Sequence, residues 1–244
     1  MAERRAFVLV TGAAHRLGRA FTLRLARLGY AIGLHYHDSL PKAEATAAEI
    51  GALGVPVFPL QADLTRPEEI ERLFGRIDAL LAGQFDFKIL VNSAALMPRA
   101  DVRSLSAADF DAAIALNLRA PFLCAQQAAR RMTSGGLIVN ISDIGAAKAW
   151  TGFPAYTVSK AGLESLTKIL ARALAPDIRV NAIAPGLVLR AEEMPAADWD
   201  RLVNRLPARR AAEADEVADA LEFLIKNEYI TGQTIAVDGG YSLL

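Results

Sequence analysis

The chain of 244 residues balances 27 Lys and Arg against 27 Asp and Glu, and 53% of it is hydrophobic. That apolar fraction excludes disorder as the main theme, and zero formal net charge argues against a general nucleic-acid or acidic-membrane surface. The single cysteine, Cys124, cannot close an internal disulfide, which fits a reducing cytoplasm.

Met1–Arg5 is charged, and the apolar run Ala6–Val10 is too short for a signal-peptide core or a membrane span, so a soluble cytoplasmic protein is expected. That run is the first predicted strand. Leu17, Phe21, Leu25 and Leu28 follow at helical spacing, with Gly29 as a stop. A second strand, Ala31–His35, leads to a predicted helix over Ala43–Leu53. A third, Val55–Leu60, leads to one over Pro67–Leu81, where Pro67 suits the first turn and Glu68 and Glu69 suit the positive helix end. Strand four is Lys88–Val91, and one or two helices are predicted within Ala107–Met132. Strand five, Leu137–Ile141, precedes a helix over Tyr156–Leu174. Strand six, Ile178–Ile183, precedes a helix over Glu213–Leu224, and Thr234–Val237 is strand seven. Apolar strands alternating with helices predict a single α/β domain, a Rossmann-type doubly wound parallel sheet of about seven strands flanked by helices. Gly186–Arg210, rich in charge and small residues, is expected to be an irregular flap.

Two stretches carry chemistry. After strand one comes Thr11-Gly12-Ala13-Ala14-His15-Arg16-Leu17-Gly18, running into a helix. Gly12 permits a tight turn and Gly18 close helix–strand packing, so the helix N-terminus can offer N–H groups to a dinucleotide pyrophosphate. Strand two ends in His35-Tyr36-His37-Asp38-Ser39, where the adenosine ribose should lie. Asp38 suits the ribose hydroxyls of NAD, whereas His37, Ser39 and Lys42 suit the 2′-phosphate of NADP; residue chemistry leaves both open. Asp63, just after strand three, is placed to take the adenine amino group. At the other end, Tyr156 and Lys160 are four apart and share a helix face. A tyrosine of free pKa about 10 is a poor acid–base group near neutrality, and a neighbouring ammonium stabilises its phenolate. His15, His35 and His37 lack metal-ligand spacing, so no metal is expected. Trp150 and Trp199 read as pocket rim or interface, and Cys124 as buried and inert.

Thr11–Gly18, Asn92-Ser93-Ala94-Ala95, Asn117, Tyr156 with Lys160, and Pro185-Gly186 occur in that order, and together they resemble the short-chain dehydrogenase/reductase family across essentially the whole chain. The resemblance implies that Tyr156 is the general acid, that Lys160 lowers its pKa and binds the nicotinamide ribose, and that Asn117 holds a relay water. It implies that Pro185 and Gly186 cap the nicotinamide, and that Leu17, Asn92, Ala94 and Val188 also line the cofactor site. The helices at Ala107–Met132 and Tyr156–Leu174 match those of the family's subunit interface, implying a homotetramer.

The family's catalytic Ser stands thirteen residues ahead of the Tyr, a position held here by Asp143. Asp143, Arg16 in place of the middle glycine, and His35-Tyr36-His37-x-Ser39 resemble pteridine reductases, and the stretch from Leu174-Ala175-Pro176 through Val237-Asp238-Gly239-Gly240 resembles the bacterial dihydromonapterin reductases of that group. The resemblance implies NADPH over NADH and an Asp143–Tyr156–Lys160 set that protonates a pterin ring nitrogen. Arg16 would touch both phosphate and pterin, and Met97 would lie where relatives place a stacking aromatic side chain. The alternatives are a carbonyl reductase acting on, for example, a 3-oxoacyl thioester, and a non-catalytic dinucleotide-binding protein.

Overall fold

The computed structural model describes residues 4–132, 135–192 and 194–244. Met1–Glu3 of the charged start and Glu193 of the expected flap lie outside the described residues. The elements in order are β1 (Arg5–Thr11), α1 (Arg16–Arg27), β2 (Ala31–Tyr36), α2 (Leu40–Ala52), β3 (Val57–Gln61), α3 (Pro67–Leu81) and β4 (Phe85–Asn92). After them come α4 (Ala107–Ile114), a π turn (Ala115–Arg119), α5 (Ala120–Ala129), β5 (Gly136–Ile141) and a 3-10 turn (Ile144–Ala147). The chain continues through α6 (Pro154–Ala173), β6 (Ile178–Pro185), α7 (Ala196–Arg205), α8 (Ala214–Lys226), β7 (Thr234–Val237) and a last 3-10 turn, Tyr241–Leu243.

All seven strands form one sheet in the order β3-β2-β1-β4-β5-β6-β7, and its neighbouring strands pair in parallel. Strand alternation divides the core in two. Phe7 and Leu9 of β1 face one side with Phe74 and Ile77 of α3 and Cys124 and Ala128 of α5. Val8 and Val10 face the other, with Phe21 and Leu25 of α1 and Leu221 and Leu224 of α8. Strand order reverses between β1 and β4, which opens a crevice at the carboxyl ends of the strands.

The segment after β6 departs from the expectation of an irregular flap: residues 196–205 form α7. Trp199, Leu202 and Val203 make a short apolar stripe there, but charged neighbours dilute it and none of the helix is fully buried.

Candidate active site

The crevice is a cavity of about 690 Å³ running from the β1–α1 turn to the α6 end of the sheet. At its first end the backbone is packed too closely for side chains. Gly12 has φ +64°, and a Cβ there would lie 2.9 Å from the Ala94 Cα. A Cβ on Gly18 would lie 2.0 Å from the Gly12 carbonyl oxygen. Thr11 fixes the neighbouring loop, its hydroxyl accepting from the N–H groups of Ser93 at 2.9 Å and Ala94 at 3.1 Å. His15 at the start of α1 makes no side-chain cap bond, so the helix presents its first N–H groups and its positive end to the cavity. This cradle fits a pyrophosphate.

His37, Asp38, Ser39 and Asp63 line the same end. The Ser39 hydroxyl donates to Asp38 at 3.2 Å. Asp63 binds Thr65 through one carboxylate oxygen, at 2.9 Å from the N–H and 2.7 Å from the hydroxyl. Lys42 does not reach the cavity wall, yet after burial it is the next cause of the lowered His15 pKa, followed by Arg16. Asp38 and Glu192 oppose that shift, so charges of both signs stand near His15.

His35 belongs to the ribose-end and pteridine-reductase patterns of the sequence, which assign its ring no contact of its own. The structure buries it, with Nδ1 accepting the Gly12 N–H at 3.1 Å and Nε2 at 3.0 Å from the Ala62 carbonyl. Its own carbonyl accepts the Ala13 N–H at 2.8 Å. One residue thus ties the dinucleotide turn to the loop carrying Asp63. Burial lowers its pKa to about 4, keeping the ring neutral and Nδ1 free to accept. The available signal was a lone histidine in an otherwise apolar strand.

Arg16 has φ +52°, unusual for a side-chain-bearing residue. Its guanidinium lines the cavity and donates to the carbonyls of Leu189 at 2.7 Å and Arg190 at 3.3 Å, joining the first turn to the segment after β6.

At the other end Asp143, Tyr156 and Lys160 converge. The Tyr156 hydroxyl donates to Asp143 Oδ2 at 2.8 Å, and the Gly145 N–H donates to Oδ1 at 2.7 Å. Burial raises the Asp143 pKa, although those two bonds and the Lys160 charge oppose it. Burial also pushes the Tyr156 phenol well above its ordinary value, with the Asp143 charge and hydrogen bond adding to the effect. Lys160 is not among the causes of that shift. The Lys160 ammonium donates to the Ile141 carbonyl at 2.7 Å and lies 5.6 Å from the Tyr156 ring centroid. Burial lowers Lys160 to about 8, with Asp143 acting the other way. Neighbouring Ser142 turns its hydroxyl to Glu164 at 2.9 Å.

Met97, Ala94, Leu17, Pro185, Gly186 and Val188 line the cavity as expected, whereas Asn92 and Asn117 do not. Asn92 is registered opposite Asn140 across β4 and β5, and its amide donates to Asn140 at 2.8 Å inside the sheet. Asn117 lies in the π turn, fully buried. Its carbonyl accepts the Leu96 N–H at 2.9 Å, while its amide donates to the Leu96 carbonyl at 2.8 Å and to Ser159 at 3.0 Å. Its side chain fixes the loop bearing Met97. Among the described residues no cluster of three His, Cys, Asp or Glu could hold a metal ion, and no helix is long and apolar enough to cross a membrane.

Residues 12–242 match the family described as enoyl-(acyl carrier protein) reductase. Over 239 residues the chain is 35% identical to the 3-oxoacyl-(acyl-carrier-protein) reductase FabG of Staphylococcus epidermidis, covering 95% of this chain and 97% of that one. A short chain dehydrogenase from Burkholderia cenocepacia J2315, solved in complex with NADP, is 32% identical and superposes with a TM-score of 0.91 over 98% of both chains. The chain belongs to the short-chain dehydrogenase/reductase family. It is also similar to FolM alternative dihydrofolate reductase 1 from Brucella suis in complex with NADP. That structure is 37% identical, with a TM-score of 0.90 over 98% of this chain and 96% of that one. These NADP-bound neighbours agree with the expectation of NADPH, and the family makes the chain an oxidoreductase.

Proposed function

We propose that this short-chain dehydrogenase/reductase is an NADPH-dependent pterin reductase, acting on a dihydromonapterin- or dihydrobiopterin-like ring. The observation that carries the reading is the Asp143–Tyr156 hydrogen bond of 2.8 Å at the place where the family keeps a serine. Gly12, Leu17, Gly18, Ala94 and the ribose-end residues His37, Asp38, Ser39 and Asp63 would hold the nucleotide, with Lys160, Pro185, Gly186 and Val188 around the nicotinamide. NADPH supplies hydride to the carbon of a C=N bond, and the chain must supply one proton to the adjacent nitrogen.

The Asp143–Tyr156 pair is built for that proton. Burial holds both groups towards their protonated forms, so the pair carries the proton that it must give up. Tyr156 passes its proton to the ring nitrogen and is refilled from protonated Asp143. The charge then rests on the carboxylate, which is held by the Tyr156 O–H, the Gly145 N–H and the Lys160 ammonium. A serine cannot store a proton in this way, whereas a carboxyl can, and nitrogen chemistry uses that difference. Arg16 and Met97, which both line the cavity, would meet the substrate. The same reading includes a homotetrameric cytoplasmic enzyme, for which the exposed Phe122, Val158 and Ile169 offer apolar surface on α5 and α6.

A second reading, reduction of a 3-oxoacyl thioester, is favoured by the 35% identity to FabG. Stopped-flow oxidation of NADPH with 7,8-dihydrobiopterin and with an acetoacetyl thioester separates the two. Turnover of the dihydropterin supports the first, and turnover of the thioester alone reverses the assignment. A non-catalytic binder would bind NADPH and oxidise it with neither substrate.

A further inference from the structure

We propose that Trp150 is the stacking platform of the substrate pocket, and that the pocket is therefore cut for a flat heteroaromatic ring rather than an extended acyl chain. The inference rests on the reductase reading above and deepens it.

Trp150 lines the cavity, as does Met97, the residue expected at the stacking position. The two differ in how they are held. Met97 lies on a coil, is 43% exposed, and has three rotatable bonds with which to evade a ring. Trp150 is half-buried and braced on several sides. Its backbone is fixed by its own N–H to the Lys148 carbonyl and by the Phe153 N–H to its carbonyl, both at 3.0 Å. Its ring packs against Phe153, with centroids 6.4 Å apart, and against Tyr241 at 6.2 Å. Tyr241 is steadied in turn by Lys148, whose ammonium lies 5.5 Å from the ring centroid and donates to the Leu244 carbonyl at 2.7 Å.

Gly145 sets the ring beside the chemistry. A Cβ at Gly145 would lie 2.7 Å from indole atoms Cε3 and Cζ3 and 3.0 Å from Asp143 Oδ1. Indole and carboxylate thus flank the same glycine, and only a missing side chain lets them do so. A rigid aromatic face next to a proton-donating carboxyl suits a ring that stacks while one of its nitrogens is protonated. The bland alternative, a tryptophan that merely packs the last 3-10 turn, gives it no influence on substrate affinity.

The chain has two tryptophans, Trp150 and Trp199, so W199F leaves Trp150 as the only indole reporter. Titration of the NADP⁺-loaded W199F enzyme with 7,8-dihydrobiopterin should give saturable quenching of Trp150. If W199F is insoluble, the same signal is read as the difference between wild type and W150F. In steady state, W150L should raise KM for the dihydropterin about tenfold, equivalent to about 1.4 kcal/mol, with kcat within about twofold. W150F should restore KM, and KM for an acetoacetyl thioester should not follow the series. Absence of quenching, or an unchanged KM in W150L, overturns the platform even where dihydropterin is turned over. Should wild type fail to reduce dihydropterin, the pterin reading falls. The platform is then judged by quenching with, and the W150L KM for, the flat aromatic ketone 1-tetralone, and a null result there overturns it too.

Discussion

The neutrality of His35 can be tested by acid. In the folded chain the ring is buried and its pKa is lowered to about 4, chiefly by burial and also by His37, against the opposing pull of the Ala62 carbonyl and Asp63. In the unfolded chain it should titrate near 6.5. Between those values the unfolded state binds a proton that the folded state refuses, so stability falls as pH falls through the window. With about 1.4 kcal/mol per pH unit of separation, lowering the pH from 7 to 4.5 should remove about 2.5 kcal/mol of stability through His35 alone. The reference is H35N, whose side-chain oxygen can still accept the Gly12 N–H but does not titrate. Other acid-sensitive groups act on both proteins and cancel in the difference. Urea unfolding at a series of pH values should show wild type losing about 2.5 kcal/mol relative to H35N, or roughly 5–10 °C in Tm for a domain of this size. A difference that stays flat within about 0.5 kcal/mol would show that His35 carries no proton-linked role and that the Gly12 contact does not depend on a neutral ring.

Further outcomes are expected elsewhere in the chain. G18A, which forces a Cβ against the Gly12 carbonyl, should cost about 1–3 kcal/mol and abolish NADPH binding by fluorescence. G75A in α3, where a Cβ meets nothing within 4 Å, should instead stabilise by about 0.5–1 kcal/mol. Lys160 loses its charge as pH rises through about 8, so kcat/KM should fall above that pH. Stability should move the other way up to about 10.5, because there the unfolded chain alone still holds the proton. Y156F should lower kcat by about 10²–10⁴-fold with NADPH affinity retained, and D143S should impair dihydropterin reduction far more than any carbonyl reduction, both read by NADPH oxidation.

The strands were legible because each is an apolar run between helical spacings, but their ends were less so. β4 begins at Phe85, before the expected Lys88, because Phe85 and Phe87 alternate into the aromatic cluster around Phe7 while Asp86 and Lys88 break the apolar run. The π turn at Ala115–Arg119 left no sequence mark, since its residues also suit an α-helix. At the site, Tyr156 and Lys160 could be paired from spacing because a single helix carries both. Contacts that join distant segments had no such cue. Asn92 closes a buried amide pair with Asn140, and the three side-chain bonds of Asn117 serve Leu96 and Ser159. Both asparagines were assigned by motif to roles beside a ligand, and the bonds their amides make within the fold could not be read from that motif.

The guanidinium of Arg16 has a mechanical consequence. It springs from the β1–α1 turn, yet it is anchored on the carbonyls of residues 189 and 190, so one side chain ties the first turn of the fold to the segment after β6. Removing that side chain would cut both bonds at once and leave the two segments without this tie.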